Sequence, residues 1–252
     1  MIKTFADMIK SFRKPKRRSG LLDQGGDPIP IFVEPVEEPV APVVPTPDLA
    51  SPIHGLDVSR WQGKIDWDKV TTTQNFVYIK ATQGVGYQSP ASREMADKAA
   101  AAGIPFGFYH YATPGEDDCI GEVNYFIHTL KNELPQASLP PVLDFEENDT
   151  DLARGKMGLW ASAFLKELED RMDTQAIIYG SPGFLDHNLL PTHDLGQWHL
   201  WLAHYTVKDK PRIPVGWTDW LIWQYSDQGV VDGVENRVDM NHSRMELLHL
   251  LK

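Results

Sequence analysis

The chain predicts an α/β fold, a TIM-like (β/α) barrel with an irregular last third, preceded by an extended N-terminal segment. Three observations predict it. Short apolar runs alternate with helical patterns from Ile53 onward, eight such runs can be counted as strands, and nearly every run ends on a polar or aromatic residue. Regular βα alternation calls for a parallel sheet, and closing that sheet is the economical way to bury eight strands.

In chain order the strands are His54–Ser59, Phe76–Thr82, Ile104–Tyr111, the run ending at Asp144, Ala176–Tyr179, Trp198–Ala203, Trp220–Tyr225 and a short Val238–Met240. An alanine-rich helix is expected from about Ser89 to Ala102, with Gly103 supplying the left-handed cap that a side chain resists. A second helix is expected over Asp117–Asn132 and a long amphipathic one over Leu152–Arg171. Helical patterns fade after that, hence the irregular last third.

Two segments precede the barrel. Residues 1–20 carry Lys3, Lys10, Arg13, Lys14, Lys16, Arg17 and Arg18 against one acid, Asp7, with apolar residues on one helical face. No apolar central region or small-residue cleavage site follows, so this is not a secretory signal. Membrane-surface contact, docking to a partner protein and disorder all stay open for it. Residues 21–52 hold eight prolines among Val, Glu and Asp, the composition of an extended semi-rigid spacer. A basic head on such a spacer reads as a tether to a protein partner or an envelope surface, with the folded domain over 53–252.

Composition narrows the function classes. A net charge of −11 argues against a nucleic-acid-binding body, because phosphate contacts need clustered cations. The single cysteine, Cys119, rules out an intramolecular disulfide framework and reads as structural, since neighbouring acids hold a thiol protonated. No apolar run reaches bilayer-spanning length, so a soluble protein is expected.

The chemistry falls on Pro140-Pro141-Val142-Leu143-Asp144-Phe145-Glu146-Glu147. Two prolines block a helix and fix an extended approach. Alternation then puts Asp144 and Glu146 on one face and Glu147 on the other, with Cα atoms roughly 6.6 Å apart across the pair. Two carboxyl groups so placed can flank one scissile bond. In a barrel the strand ends build the active site. The residues there are Asp57, Lys80, His110, Asp144, Glu146, Tyr179, His204, Tyr205, Gln224, Tyr225, Asp239 and Asn241, with Trp61, Tyr109, Tyr111 and Trp201 nearby. Acids and amides among aromatics suit a carbohydrate groove, where rings stack on C–H faces and polar groups bind hydroxyls. Each residue alone also has a plain structural explanation; the register of all of them is what points to a site.

Eight ordered motifs carry a resemblance. They are Gly55-Leu56-Asp57-Val58-Ser59 with Trp61-Gln62, Tyr78-Ile79-Lys80-Ala81-Thr82, Gly107-Phe108-Tyr109-His110-Tyr111, Leu143-Asp144-Phe145-Glu146, Ile178-Tyr179-Gly180-Ser181, Leu200-Trp201-Leu202-Ala203-His204-Tyr205, Trp223-Gln224-Tyr225 and Val238-Asp239-Met240-Asn241. In this order they resemble the family 25 glycoside hydrolases, the Chalaropsis- or cellosyl-type lysozymes (N-acetylmuramidases). The resemblance runs from Gly55 to about Asn241 and leaves the first 52 residues outside. It implies hydrolysis of the β-1,4 bond between N-acetylmuramic acid and N-acetylglucosamine in peptidoglycan, with peptidoglycan glycan strands as the partner and no metal or organic cofactor.

By the same resemblance Glu146 is the general acid and Asp144 its electrostatic or acetamide-orienting partner, while Asp57 and Asp239 line the site. Lys80, Tyr109, Tyr179, Trp201, Tyr205, Gln224, Tyr225 and Asn241 are the candidate substrate-binding residues. Carboxyl separation near 6.6 Å sits at the boundary between inverting and retaining geometries, so the strand estimate leaves stereochemistry open. The substrate's own acetamide as nucleophile is the expected route, with Tyr179 or Tyr205 assisting. A non-catalytic wall-binding or phage adaptor protein on the same barrel is the rival reading. A chitinase-like barrel is disfavoured because Val142 stands where that pattern needs another aspartate. The expected setting is a monomeric catalytic domain of phage or prophage origin, held in the host cytoplasm before release or carried on a virion.

Overall fold

The computed structural model describes residues 53–115, 119–206, 209–244 and 246–251. The basic segment over 1–20 and the proline spacer over 21–52 lie outside the described residues, as do Asp117 and Asp118 at the head of the second expected helix.

Nine strands form one sheet. They are β1 (Ile53–Val58), β2 (Phe76–Gln83), β3 (Tyr87–Gln88), β4 (Phe106–Tyr111), β5 (Val142–Asp144), β6 (Ile177–Gly180), β7 (His199–Ala203), β8 (Ile222–Gly229) and β9 (Val238–Ser243). Their order is β1-β9-β8-β7-β6-β5-β4-β2-β3, and a further parallel pairing of β1 with β2 closes the barrel, leaving the two-residue β3 as a hairpin flap on β2. Helices α1 (Trp67–Val70), α2 (Ser92–Ala101), α3 (Cys119–Asn132), α4 (Arg154–Met172), α5 (Pro182–Asn188) and α6 (Glu246–His249) complete the described elements together with two 3-10 turns. Gly103 follows α2 at φ +73°, the cap expected of it. No helix among the described residues is long and apolar enough to cross a membrane.

All eight expected strands form, with one change of direction. Strands β1, β2 and β4 to β8 run parallel, whereas β9 runs antiparallel to both β8 and β1. The connection from Val230 to Arg237 is too short for a helical crossover, and a reversal is what a short connection permits. Asp239 therefore reaches the mouth from the start of its strand, level with Asp57, while Asn241 lies deeper, opposite Gly55. The last third is irregular as expected: no helix links β7 to β8 among the described residues.

Alternation sorts the side chains into two layers. Leu56, Val58, Val77, Ile79, Phe108, Leu143, Ile178, Leu200 and Leu202 face outward and pack on the helices. Ile53, Phe76, Tyr78, Val142, Ile177, Trp201 and Ile222 fill the lumen, and Leu247 of α6 closes its floor. Two lumen positions must be glycine. A Cβ on Gly55 would sit 2.3 Å from the Phe76 ring, and one on Gly107 would sit 2.3 Å from the Tyr78 ring. These rings fill the lumen only because β1 and β4 offer bare backbone there.

Candidate active site

The mouth of the barrel holds a cavity of about 290 Å³, lined among others by Asp57, Lys80, Tyr109, Asp144, Glu146, Tyr179, Trp201, Tyr205, Gln224 and Asp239. Those are ten of the twelve candidate residues. Ser59, Trp61 and Tyr111 join them; the two aromatics were legible as neighbours, and Ser59 carried no chemical signal. Tyr225 does not line the cavity: it stacks on His242 with ring centroids 4.1 Å apart. Asn241 does not line it either, but it holds a residue that does. His110, a strand-end candidate, faces outward and is stacked against Phe164 and tilted on Phe126. A bulge in β2 between Lys80 and Thr82 shifts the register there, so Thr82 bonds His110 on the outer side while Lys80 stays at the mouth.

Asp57 is held from below and from the side. The Trp201 indole N–H can only donate, and it donates to Asn241 Oδ1 at 2.8 Å. That orients the Asn241 amide so its Nδ2 donates to Asp57 Oδ2 at 2.8 Å. Tyr179 and Tyr205 hydroxyls donate to Gln224 Oε1 at 3.0 and 2.7 Å, which aims Gln224 Nε2 at the same Asp57 oxygen, 2.9 Å away. Two amides thus favour an ionised Asp57, although its burial pushes the other way and leaves its pKa raised. Asp239 beside it is pushed up to about 8, first by burial and then by the charge of Asp57, to which it donates a hydrogen bond. The two carboxyls titrate as a pair, and the amide donors on Asp57 favour placing the pair's proton on Asp239.

Asp144 follows Val142 on the inward face, buried at the end of β5. Burial raises its pKa well above the ordinary carboxylate range, and the charge of Glu146 adds to that. Its Oδ1 is buried with no hydrogen-bond partner. Glu146 stands two residues on, at the open rim, its pKa raised by desolvation and then by Asp57. Lys80 partly offsets both carboxyls, and its ammonium lies 4.4 Å over the Tyr111 ring and 2.8 Å from Gln83 Oε1. Glu147 lies three residues beyond the end of β5, is absent from the cavity lining and accepts from Tyr111. Such a site can deliver one proton from the rim and hold a buried anion beneath it. Among the described residues no group of His, Cys, Asp and Glu is arranged to hold a metal ion.

The loop carrying Trp61 is fixed by its own sequence. Ser59 and Gln62 form a capping box, Gln62 Oε1 accepting from Ser59 N at 2.7 Å. Gln62 Nε2 and Asn236 Nδ2 tie this loop to the β8–β9 connection through Arg237 O and Trp61 O, at 3.1 and 2.9 Å. Trp61 is left 69% exposed on the rim.

Comparison with known proteins gives a consistent result. The profile described as Glycosyl hydrolases family 25 matches residues 56–234. Lysozyme M1 of Streptomyces globisporus is 32% identical over 205 residues, a span of 76% of this chain and 67% of that protein. The N,O-diacetylmuramidase of Chalaropsis sp. is 27% identical over 198 residues, covering 74% of this chain and 94% of that one. The crystal structure of the bacterial lysozyme from Streptomyces coelicolor superposes with a TM-score of 0.71 at 31% identity, over 80% of this chain and 97% of the other.

Proposed function

The chain belongs to glycosyl hydrolase family 25, and from that premise we propose that it is a muramidase in which Glu146 is the general acid and the substrate's acetamide the nucleophile. The observation carrying this reading is the buried Asp144 with its unpartnered Oδ1, lining the same cavity as Glu146. An acetamide N–H on the muramic acid ring is the donor that oxygen lacks. Accepting it stabilises the ionised form of Asp144, so the proton that burial and the charge of Glu146 keep on Asp144 passes to Glu146.

Glu146 then gives its proton to the glycosidic oxygen as the C1–O bond breaks. The acetamide carbonyl oxygen bonds to C1 from the opposite face, and Asp144 accepts from the N–H that becomes positive. The leaving sugar departs as an alcohol. Water next attacks C1, Glu146 takes its proton, and the oxazoline ring opens to restore the acetamide. Two inversions at C1 give net retention. Asp57, ionised and held by Gln224 and Asn241, supplies negative charge toward the developing oxocarbenium. NMR of the first product from a defined muropeptide tests the route: the retained β-anomer is expected, and an inverted anomer excludes it.

Residues 1–52 complete the reading as a tether in a phage or prophage setting. Deleting residues 1–50 should change where the enzyme acts on cells. Unchanged activity and localisation would reject the tether.

A further inference from the structure

A second cavity, of about 560 Å³, adjoins the catalytic one and shares Ser59, Trp61 and Lys80 with it. Its far wall is the β2–β3 hairpin, where Gln83 pairs with Tyr87 and the turn runs through Gly84 at φ +49° and Gly86 at φ +101°. A Cβ on Gly84 would sit 2.7 Å from Thr113 Oγ1, so glycine there sets the hairpin close against the barrel.

The chemistry of this arm is opposite to that of the catalytic cavity. Arg60 and Lys80 line it, and no carboxylate does. The Arg60 guanidinium lies 4.6 Å from the Trp61 ring centroid and 6.0 Å from that of Tyr87. No ion pair to Arg60 occurs among the described residues. Two cations on one wall repel each other, in a chain with eleven more acids than bases. Stacking on Trp61 holds the guanidinium plane and leaves its N–H edge free to grip a carboxylate with two parallel bonds.

We propose that this arm binds a carboxylate on the peptide branch of the glycan, with Arg60 as the specificity-determining contact. The proposal rests on the muramidase reading, because muramic acid carries its acidic peptide close to the bond being cut. A neutral sugar subsite would need no cation and would be indifferent to the branch charge.

The test compares purified peptidoglycan with the same material after carbodiimide-coupled amidation of its carboxylates by ammonia, using wild type and Arg60→Gln. Reducing-end release gives kcat and KM. On unmodified substrate Arg60→Gln should raise KM roughly fivefold with kcat within about twofold, the size of one charge-assisted contact. On amidated substrate the cost should shrink below about twofold. An equal loss on both substrates, or none on the unmodified one, overturns the proposal while leaving the muramidase reading intact. Wild-type inactivity on both overturns that reading and the proposal with it.

Discussion

Two buried carboxylate sites sit on opposite sides of the same strands, and they are built by opposite rules. Outside the barrel, Glu122 of α3 accepts from His110 Nε2 at 2.8 Å, from Thr113 N at 3.1 Å and from Thr113 Oγ1 at 2.8 Å. Thr82 Oγ1 closes the network on His110 Nδ1 at 2.7 Å, a geometry that the neutral Nε2–H tautomer satisfies with the threonine hydroxyl as donor. Burial lowers the His110 pKa, which suits that state. Inside the mouth, four carboxyls crowd one cavity, each with a raised pKa, and one buried oxygen has no partner at all. A satisfied buried carboxylate stabilises a fold, while an unsatisfied one costs stability and keeps its reactivity.

The largest effect that would break this contrast is on rate. Glu146→Gln should lose a hundredfold or more in kcat, the range for a lost general acid, with the melting temperature unchanged or raised. Near-normal activity would remove Glu146 from its role. Glu122→Ala should do the reverse. Leaving His110 and Thr113 unpaired should cost about 3 kcal/mol in a urea titration, while kcat of the folded protein stays within about twofold. A large loss of kcat at full stability would mean the outer network serves the site.

The pH dependence should split along the same line. Asp239 keeps its proton to about pH 8 when folded, but only to about 3.9 when unfolded. The contribution from Asp239 is thus fully present below about pH 3.9 and is lost as pH rises toward 8. His110 has the opposite sign: its folded pKa is depressed, so its contribution is present above the unfolded value of about 6.5 and is lost on acidification. Asp239→Asn should flatten the decline between pH 6 and 8 in thermal scans, by a few degrees at about 2–4 °C per kcal/mol. An unchanged slope would show that the proton is held elsewhere. The smallest effect expected is Tyr205→Phe, which removes one of two donors to Gln224. A two- to fivefold drop in kcat/KM is expected, about the worth of one hydrogen bond, and a loss as large as that of Glu146→Gln would give Tyr205 a direct chemical role.

The strand pattern was readable because apolar runs of this length have few alternatives, and the in-phase placement of Asp144 and Glu146 follows from alternation alone. Four features depart from the sequence reading, each for a physical reason. His110 lies at the mouth end of its strand, yet it is in phase with the outward Phe108 and out of phase with Tyr109, and the bulge in the neighbouring β2 turns Thr82 to the same outer side to meet it. Tyr225 follows Gln224 directly and so must face away when Gln224 faces in. Asn241 and Gln224 look like ligands by type, but their amides are committed to Asp57 by Trp201 and two tyrosines, partners that only the closed barrel brings together. Arg60 carries no signal in the sequence, because a lone cation beside Trp61 means nothing until the hairpin at Gly84 makes a wall facing it.

The reversal of β9 has a consequence for handling and engineering. Because the last strand runs back down, Ile53 and Ser243 end as paired neighbours at the floor, with Leu247 packed beneath the lumen. Both ends of the barrel therefore leave from the face away from the groove. A fluorophore, affinity handle or wall-anchoring module grafted at either end would hang from the base and leave the open rim free to press flat against a rigid polymer mesh.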